Sequence, residues 1–151
     1  MENKIFEYGK DVLQSKRFQK GFSVRHHLRY NVAQHSIRVA ECAYDIALWL
    51  QKRGVKVDPE AVVHSALLHD IGMTDDEVHD LPSYKKLFRH PVRSAEILEN
   101  EYHCSPEELD AVLGHMWPLS GKAPHHLTGW IVIAADKLCS LREATSKNKK
   151  K

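Results

Sequence analysis

Residues 58–72 read DPEAVVHSALLHDIG. Asp58 is a helix-capping residue, and Pro59 suits the first helical position, where no backbone N–H is required. A helix opens there and runs to about His69, with Val62, Ala66 and His69 on one apolar stripe. The stripe therefore ends on two ionisable side chains, His69 and Asp70. Adjacent side chains on a continuing helix point about 100° apart, but near a helix end two such residues can straddle one pair of metal ions. A carboxylate has two oxygens and can bridge two ions, whereas an imidazole nitrogen cannot. Asp70 is thus the natural bridge and His69 a terminal ligand.

Outward from this stretch the chain reads as helix throughout. Val32 to Lys52 repeats apolar residues at helical spacing, with Gly54 as its stop. Pro91 is placed to start a helix carrying Ala95, Ile97 and Leu98. Ser105-Pro106-Glu107-Glu108 caps and opens another that ends near His115, its early acids matching the positive helix end. Thr128 is read as the cap of a last helix, Gly129 to Ala144. Within it Trp130-Ile131-Val132-Ile133 is β-like, but AADKLCSLREA continues it with strong helix formers. Loops are expected near Gly21, at 55–57, at 72–83 and at 118–124. The expectation is all-α: one domain over 1–151, a bundle of about six helices with its core at roughly 25–143 and a basic, solvated tail at 146–151.

Composition narrows the classes. The chain has 151 residues, 42% hydrophobic and 28% charged, enough for a core and for solubility. Its net charge of +2 carries no strong nucleic-acid signal, and much of that excess sits in Lys147, Lys149, Lys150 and Lys151. No stretch approaches the ~20 apolar residues that cross a bilayer. The opening MENKIFEYGK has no apolar signal core, so the cytoplasm is the expected compartment. Cys42, Cys104 and Cys139 are far apart and lack CxxC spacing, which argues against a disulfide framework and a thiolate zinc site. Cys42 and Cys139 lie in apolar helical patterns and read as small core residues.

Histidine is the outlier, with 11 copies. His35 shares a stripe with Val39, Cys42, Ile46 and Leu50; Asp136 follows Val132 or Ile133 and precedes Cys139; His115 follows Leu109 and Val112. A lone inward histidine is usually a hydrogen-bonded core residue. Several inward ionisable groups from different helices are harder to stabilise, unless a cation sits among them. His and Asp together suit Fe, Mn, Zn or Ni better than Ca or Mg.

These residues resemble the HD-domain superfamily of metal-dependent phosphohydrolases. In that family a histidine on one helix, a His-Asp pair on the next and a later aspartate bind metal. Here His35 in AQHSIRVA, His69-Asp70 in LLHDIG and Asp136 in AADK occupy those places. Binuclear branches add two histidines between the pair and the last aspartate, matched in order by His90 in RHPVRSAEIL and His115 in LGHMWPL. Some relatives carry a phosphate-holding lysine directly after HDIG, and another branch an acid; this chain has Met73 there.

The resemblance implies hydrolysis of a phosphomonoester or phosphodiester in a nucleotide-like molecule, with His69 and Asp70 catalytic. It implies a divalent transition metal, two ions, with Fe or Mn ahead of Zn, Ni or Mg. One ion falls to His35, His69, Asp70 and Asp136, the other to His90, His115 and bridging Asp70. Arg93, Lys137 and His27 are the candidate substrate contacts, and Lys86 and Arg89 also flank His90. His64, His125 and His126 read as structural or surface residues, and Trp117 as a core tryptophan. Two other classes use the same residues. A di-iron oxygenase would consume oxygen without releasing phosphate, and a non-catalytic nucleotide-binding module would bind without turnover. A homodimer is left open.

Overall fold

A computed structural model describes residues 2–26 and 30–148. His27, one of the candidate substrate contacts, and Lys149, Lys150 and Lys151 of the expected tail lie outside the described residues. The all-α expectation holds. Among the described residues there are eight α-helices: α1 (Glu2–Leu13), α2 (Lys16–Lys20), α3 (Val32–Gln51), α4 (Pro59–Leu68), α5 (Asp76–His79), α6 (Ser83–Glu101), α7 (Pro106–Gly114) and α8 (Leu127–Asn148). Two 3₁₀ turns, Gly21–Ser23 and Ile71–Thr74, complete them.

The arrangement follows from α4. From Ala61 to Leu68 every residue is buried, His64 and Ser65 included. A helix that is apolar nearly all round cannot lie on a surface, so α1, α3, α7 and α8 surround it. Asp58 caps it as expected, accepting from the N–H groups of Glu60 and Ala61. α3 begins with a reciprocal cap between Asn31 and Gln34 and buries His35, Ser36, Val39, Ala40, Ala43, Tyr44 and Ala47. Past its end Gly54 takes φ +81°, a left-handed conformation that favours glycine. α7 has the Ser105/Glu108 capping box and Pro106 in its first turn.

The boundaries differ from expectation in four places. Pro91 does not start a helix: α6 begins at Ser83 and passes through it. Proline removes one i→i−4 hydrogen bond, but the amphipathic segment is held by its packing on the Ile71–Thr74 turn and α7. The expected loop at 72–83 is largely ordered into that turn and α5. Asp75 caps α5 by accepting from Glu77 N, and Thr74 Oγ1 donates to Ile71 O. Thr128 does not cap α8, which starts at Leu127; its hydroxyl donates to the Glu107 carboxylate. α8 also runs past Ala144 to Asn148, into the expected tail. Trp117 is half-buried rather than core, packed edge-on against Trp130 at 5.0 Å. Cys139 is buried and Cys42 packs against the core.

Two contacts fix the frame around the end of α4. A Cβ on Gly72 would lie 2.6 Å from His90 O and 2.8 Å from Ser94 N and Oγ, so only glycine lets this turn press against α6. Gly72 N donates to Ser94 Oγ there at 2.8 Å. On the far side His64 ties three helices together: Nε2 lies 2.9 Å from Asp11 Oδ2 on α1, and Nδ1 2.7 Å from Glu108 Oε1 on α7. Burial would lower this imidazole, but Glu108 and Asp11 outweigh it and raise it to about 8.

Gly72→Ala is expected to cost about 1–3 kcal/mol, because the obstructing atoms include backbone that cannot give way; urea denaturation checks it. The raised pKa of His64 stabilises the fold fully below its ordinary value of 6.5 and is lost as pH rises through about 8. The urea midpoint of the wild type is therefore expected to fall from pH 6 to pH 9 by the equivalent of about 1–2 kcal/mol. His64→Gln should lose about that much of the dependence, whatever His35 and His69 contribute over the same range.

Candidate metal centre

Five helices deliver the side chains singled out in the sequence to one point. α3 carries His35, α6 His90 and α8 Asp136, while His69 and His115 follow the last residues of α4 and α7 as their C-caps. Asp70 follows His69. His35, His69 and His115 have no solvent exposure, and Asp70 is only 3% exposed.

Asp70 divides its two oxygens between two sets of imidazoles. Oδ2 faces His69 Nε2 at 3.1 Å and His35 Nε2 at 3.8 Å. Oδ1 faces His90 Nε2 at 3.2 Å and His115 Nε2 at 3.4 Å. Asp136 Oδ1 closes the first set, 2.9 Å from His35 Nε2 and 3.5 Å from His69 Nε2. Ligands about 2.1 Å from one ion lie roughly 3.0–3.4 Å from each other; three of these six spacings fall in that range and two more, 2.9 and 3.5 Å, lie at its edge, as for donors that share a cation.

The other ring nitrogens decide which atoms are free for a metal. His69 Nδ1 donates to Ala66 O at 2.6 Å, and His115 Nδ1 to Val112 O at 2.7 Å. These are carbonyls of the final helical turns, which have no partner within the helix. His90 Nδ1 donates to Lys86 O at 2.7 Å, and His35 Nδ1 to the Glu143 carboxylate at 3.0 Å. In each neutral ring the proton therefore sits on Nδ1 and a lone pair on Nε2. The Nε2 atoms of His90 and His115 nevertheless approach to 3.0 Å, and His69 Nε2 is buried without a hydrogen bond of normal geometry. Lone pairs facing each other in a dry interior repel, and a cation between them reverses the sign. The donor set fits metal.

The electrostatics agree. Burial would raise the Asp70 carboxyl, but the His69 charge and the close approach of the His115 and His26 rings hold it well below the usual range. Asp136 is likewise held low against burial by His69 and His35. Burial would lower His35, yet its bonds to Asp136 and Glu143 lift it to about 9. His69 is raised well above its ordinary value against burial by Asp70 and Asp136. Burial pushes His115 down. The two carboxylates draw positive charge into the site.

A cavity of about 780 Å³ opens onto the cluster. Asp70, His90 and Asp136 form its floor, Arg25, Lys86 and Lys137 bring cations, and Met73 and Met116 are among its apolar walls. Lys137 thus lies where the sequence reading placed it. Arg93 does not: it pairs with Asp75 at 2.7 Å and Glu96 at 3.2 Å, tying α6 to the cap of α5. Arg89 is likewise drawn to Glu96, at 3.4 Å. Both are satisfied by acids on or beside their own helix, which spacing around His90 does not show. His125 and His126 are exposed and His64 is a buried structural residue, as expected.

Two residues were missed. Glu143 is 5% exposed and orients His35; it lies seven residues after Asp136, two turns along the same face of α8, and that period was the available signal. His26 lies 3.0 Å from Asp70 Oδ2 and stacks on His35 with ring centroids 3.8 Å apart. It belongs to no helix, so no periodicity marks it.

Comparison with known proteins agrees with this geometry. The HD domain family matches residues 32–141. An uncharacterized protein of Methanocaldococcus jannaschii is 38% identical over 82 residues, 54% of this chain and 43% of that protein, so the match spans less than half of the relative's length. A solved structure, a conserved hypothetical protein from Pyrococcus furiosus, aligns over 97% of this chain and 82% of its own with a TM-score of 0.59 and 25% identity. On the family match over most of its length, together with an all-helical fold that gathers the His and Asp residues at one point, the chain belongs to the HD domain family, a superfamily of metal-dependent hydrolases.

Proposed function

We propose that this chain hydrolyses a phosphomonoester or phosphodiester of a nucleotide-like small molecule, using two divalent transition metal ions. The observation that carries the reading is the division of Asp70: one oxygen toward His35 and His69, the other toward His90 and His115, at the floor of a cavity with three cationic side chains. His35, His69, Asp136 and Asp70 would hold one ion, and His90, His115 and Asp70 the other. Bound there, such ions would lower the pKa of a water toward neutrality and offset charge on the phosphoryl oxygens. Fe and Mn lead for this donor set, ahead of Zn, Ni or Mg.

The side chains of the chain itself divide the remaining work. Asp70, with one oxygen toward each set, fixes the distance between the two half-sites, and His69 is a terminal ligand of the first. Glu143 holds the Nδ1 proton of His35 and so keeps Nε2 turned inward. Lys86, Lys137 and Arg25 line the cavity and meet a phosphate as hydrogen-bonding cations. They take the part that a lysine after HDIG plays in some relatives, where this chain has Met73. The apolar walls, Met73, Leu87, Met116 and Leu141, suit the organic portion of the substrate. In the reaction the water oxygen bonds to phosphorus as the ester P–O bond breaks, and the leaving alkoxide takes up the proton that the water gives up. The products are an alcohol or nucleoside with inorganic phosphate from a monoester, or with a phosphomonoester from a diester.

Protein purified without chelators is expected to contain two transition metal ions per chain by elemental analysis. It should release phosphate or an alcohol in a monoester and diester screen with Mn, Fe, Ni, Mg and Zn. His69→Ala and Asp70→Ala should lose turnover by a factor on the order of 10³ with the helical spectrum retained; full activity in either contradicts the site. Glu143→Gln is expected to weaken metal binding by about 10–100-fold without unfolding the chain, read by competition with a chromophoric chelator.

A further inference from the structure

The six side chains of the cluster sit on helices or at their ends, fixed by core packing. His26 reaches the same point differently. Its backbone runs just before α3, where the chain doubles back: Arg25 pairs with Asn31 in an antiparallel bridge, His26 N donates to Tyr30 O at 3.0 Å, and Val32 N to Val24 O at 2.8 Å. Main-chain bonds hold this residue, and no helix does. Its side chain lines the cavity, as does that of Arg25.

The ring is nonetheless placed as a ligand. His26 Nε2 is 3.0 Å from Asp70 Oδ2, the oxygen that also faces His69 and His35. Donor atoms of His26, His35 and Asp70 all lie within 4.8 Å of one another, as do those of His35, His69 and Asp136. His26 thus adds a donor beside His35 and Asp70, two members of the half-site of His35, His69, Asp136 and Asp70, and it lines the cavity. Donor atoms of His69, Asp70 and His115 also lie within 4.8 Å of one another, so the second half-site is backed by a histidine fixed at a helix end, and His26 is the added donor held outside a helix.

We propose that His26 is an exchangeable ligand: it occupies the cavity-facing position on the ion held by His35, His69 and Asp136, and yields that position to an oxygen of an incoming phosphate. The inference rests on the reading of this cluster as a metal centre. The groups fixed by helices keep the ion in place, and His26, held outside the helices, can turn aside at the cost of its stacking on His35 and its contact with Asp70. Arg25, its neighbour in sequence and in the cavity, meets the same anion. A resident fifth ligand fills the position against water and stray anions and gives way only to a group that binds more tightly.

The alternative role for His26 is a plain hydrogen bond that orients Asp70. Glutamine separates the two, since its amide can donate to Asp70 but is a poor metal ligand. The test uses the full chain loaded with Co²⁺, as wild type, His26→Ala and His26→Gln. Calorimetry gives the two Co²⁺ affinities, and the visible absorption reports coordination and its change with inorganic phosphate. Both variants are expected to weaken one Co²⁺ site by about ten-fold or more and leave the other unchanged. Both should bind phosphate about ten-fold more tightly than wild type, the factor for a competitor that fills the position about nine-tenths of the time. His26→Gln behaving as wild type overturns the proposal in favour of the orienting role. Unchanged Co²⁺ affinities in both variants, weaker phosphate binding in the variants, or no phosphate binding to any form overturn it too, while leaving the metal centre intact. A wild type that takes up no Co²⁺ overturns both the ligand role and the metal reading beneath it.

Discussion

A carboxylate shut away from water is costly unless positive charge or hydrogen-bond donors surround it, and most of this structure follows from how that cost is met for Asp70. The residue sits at the end of α4, whose apolar surface on all sides forces it into the centre of the bundle. The residues after it are therefore buried by the same packing that stabilises the fold. Around Asp70 the other helices present imidazole edges, split between its two oxygens, with Asp136 completing the first half-site.

Burying a helix end raises a second problem, because its last carbonyls have no partner within the helix. The same solution appears twice. His69 and His115 each turn Nδ1 back onto the carbonyl three residues earlier, which satisfies the helix end and leaves Nε2 directed at Asp70. One hydrogen bond thus serves the backbone and fixes the tautomer the site needs. The contact between His90 and His115 Nε2 atoms shows the cost of such preorganisation. Packing places two lone pairs together where only a cation makes the arrangement favourable, as in other sites whose local strain is offset elsewhere in the fold.

The periphery supports this centre without touching it. Gly72 lets the turn after Asp70 press against α6, so the spacing between Asp70 and His90 depends on a missing Cβ. Arg93 holds α6 to the cap of α5, and His64 anchors α1 and α7 to the middle of α4. Arg93 and Arg89, which flank His90 in sequence, turn out to be paired with acids instead. The cations that do reach the cavity, Arg25, Lys86 and Lys137, come from three separate parts of the chain.

The sequence by itself determined the all-helical class, the long helices with their caps at Asp58 and Ser105, and the six inward His and Asp residues that the structure brings together. These are legible because a 3.6-residue period and a capping side chain are local signals, and because an ionisable group on an apolar stripe is conspicuous wherever it occurs. Tertiary structure alone decided what sequence spacing cannot encode. It carried α6 through Pro91, since packing on a neighbouring turn outweighs one lost hydrogen bond. It turned Arg93 toward Asp75 and away from the cavity, because an acid 18 residues away lies 2.7 Å off in space. It brought His26, which has no helical period to announce it, to the oxygen of Asp70 that His69 and His35 also face. Which side chains meet depends on how helices cross, and crossing is set by the summed packing of the whole core rather than by any local run of residues.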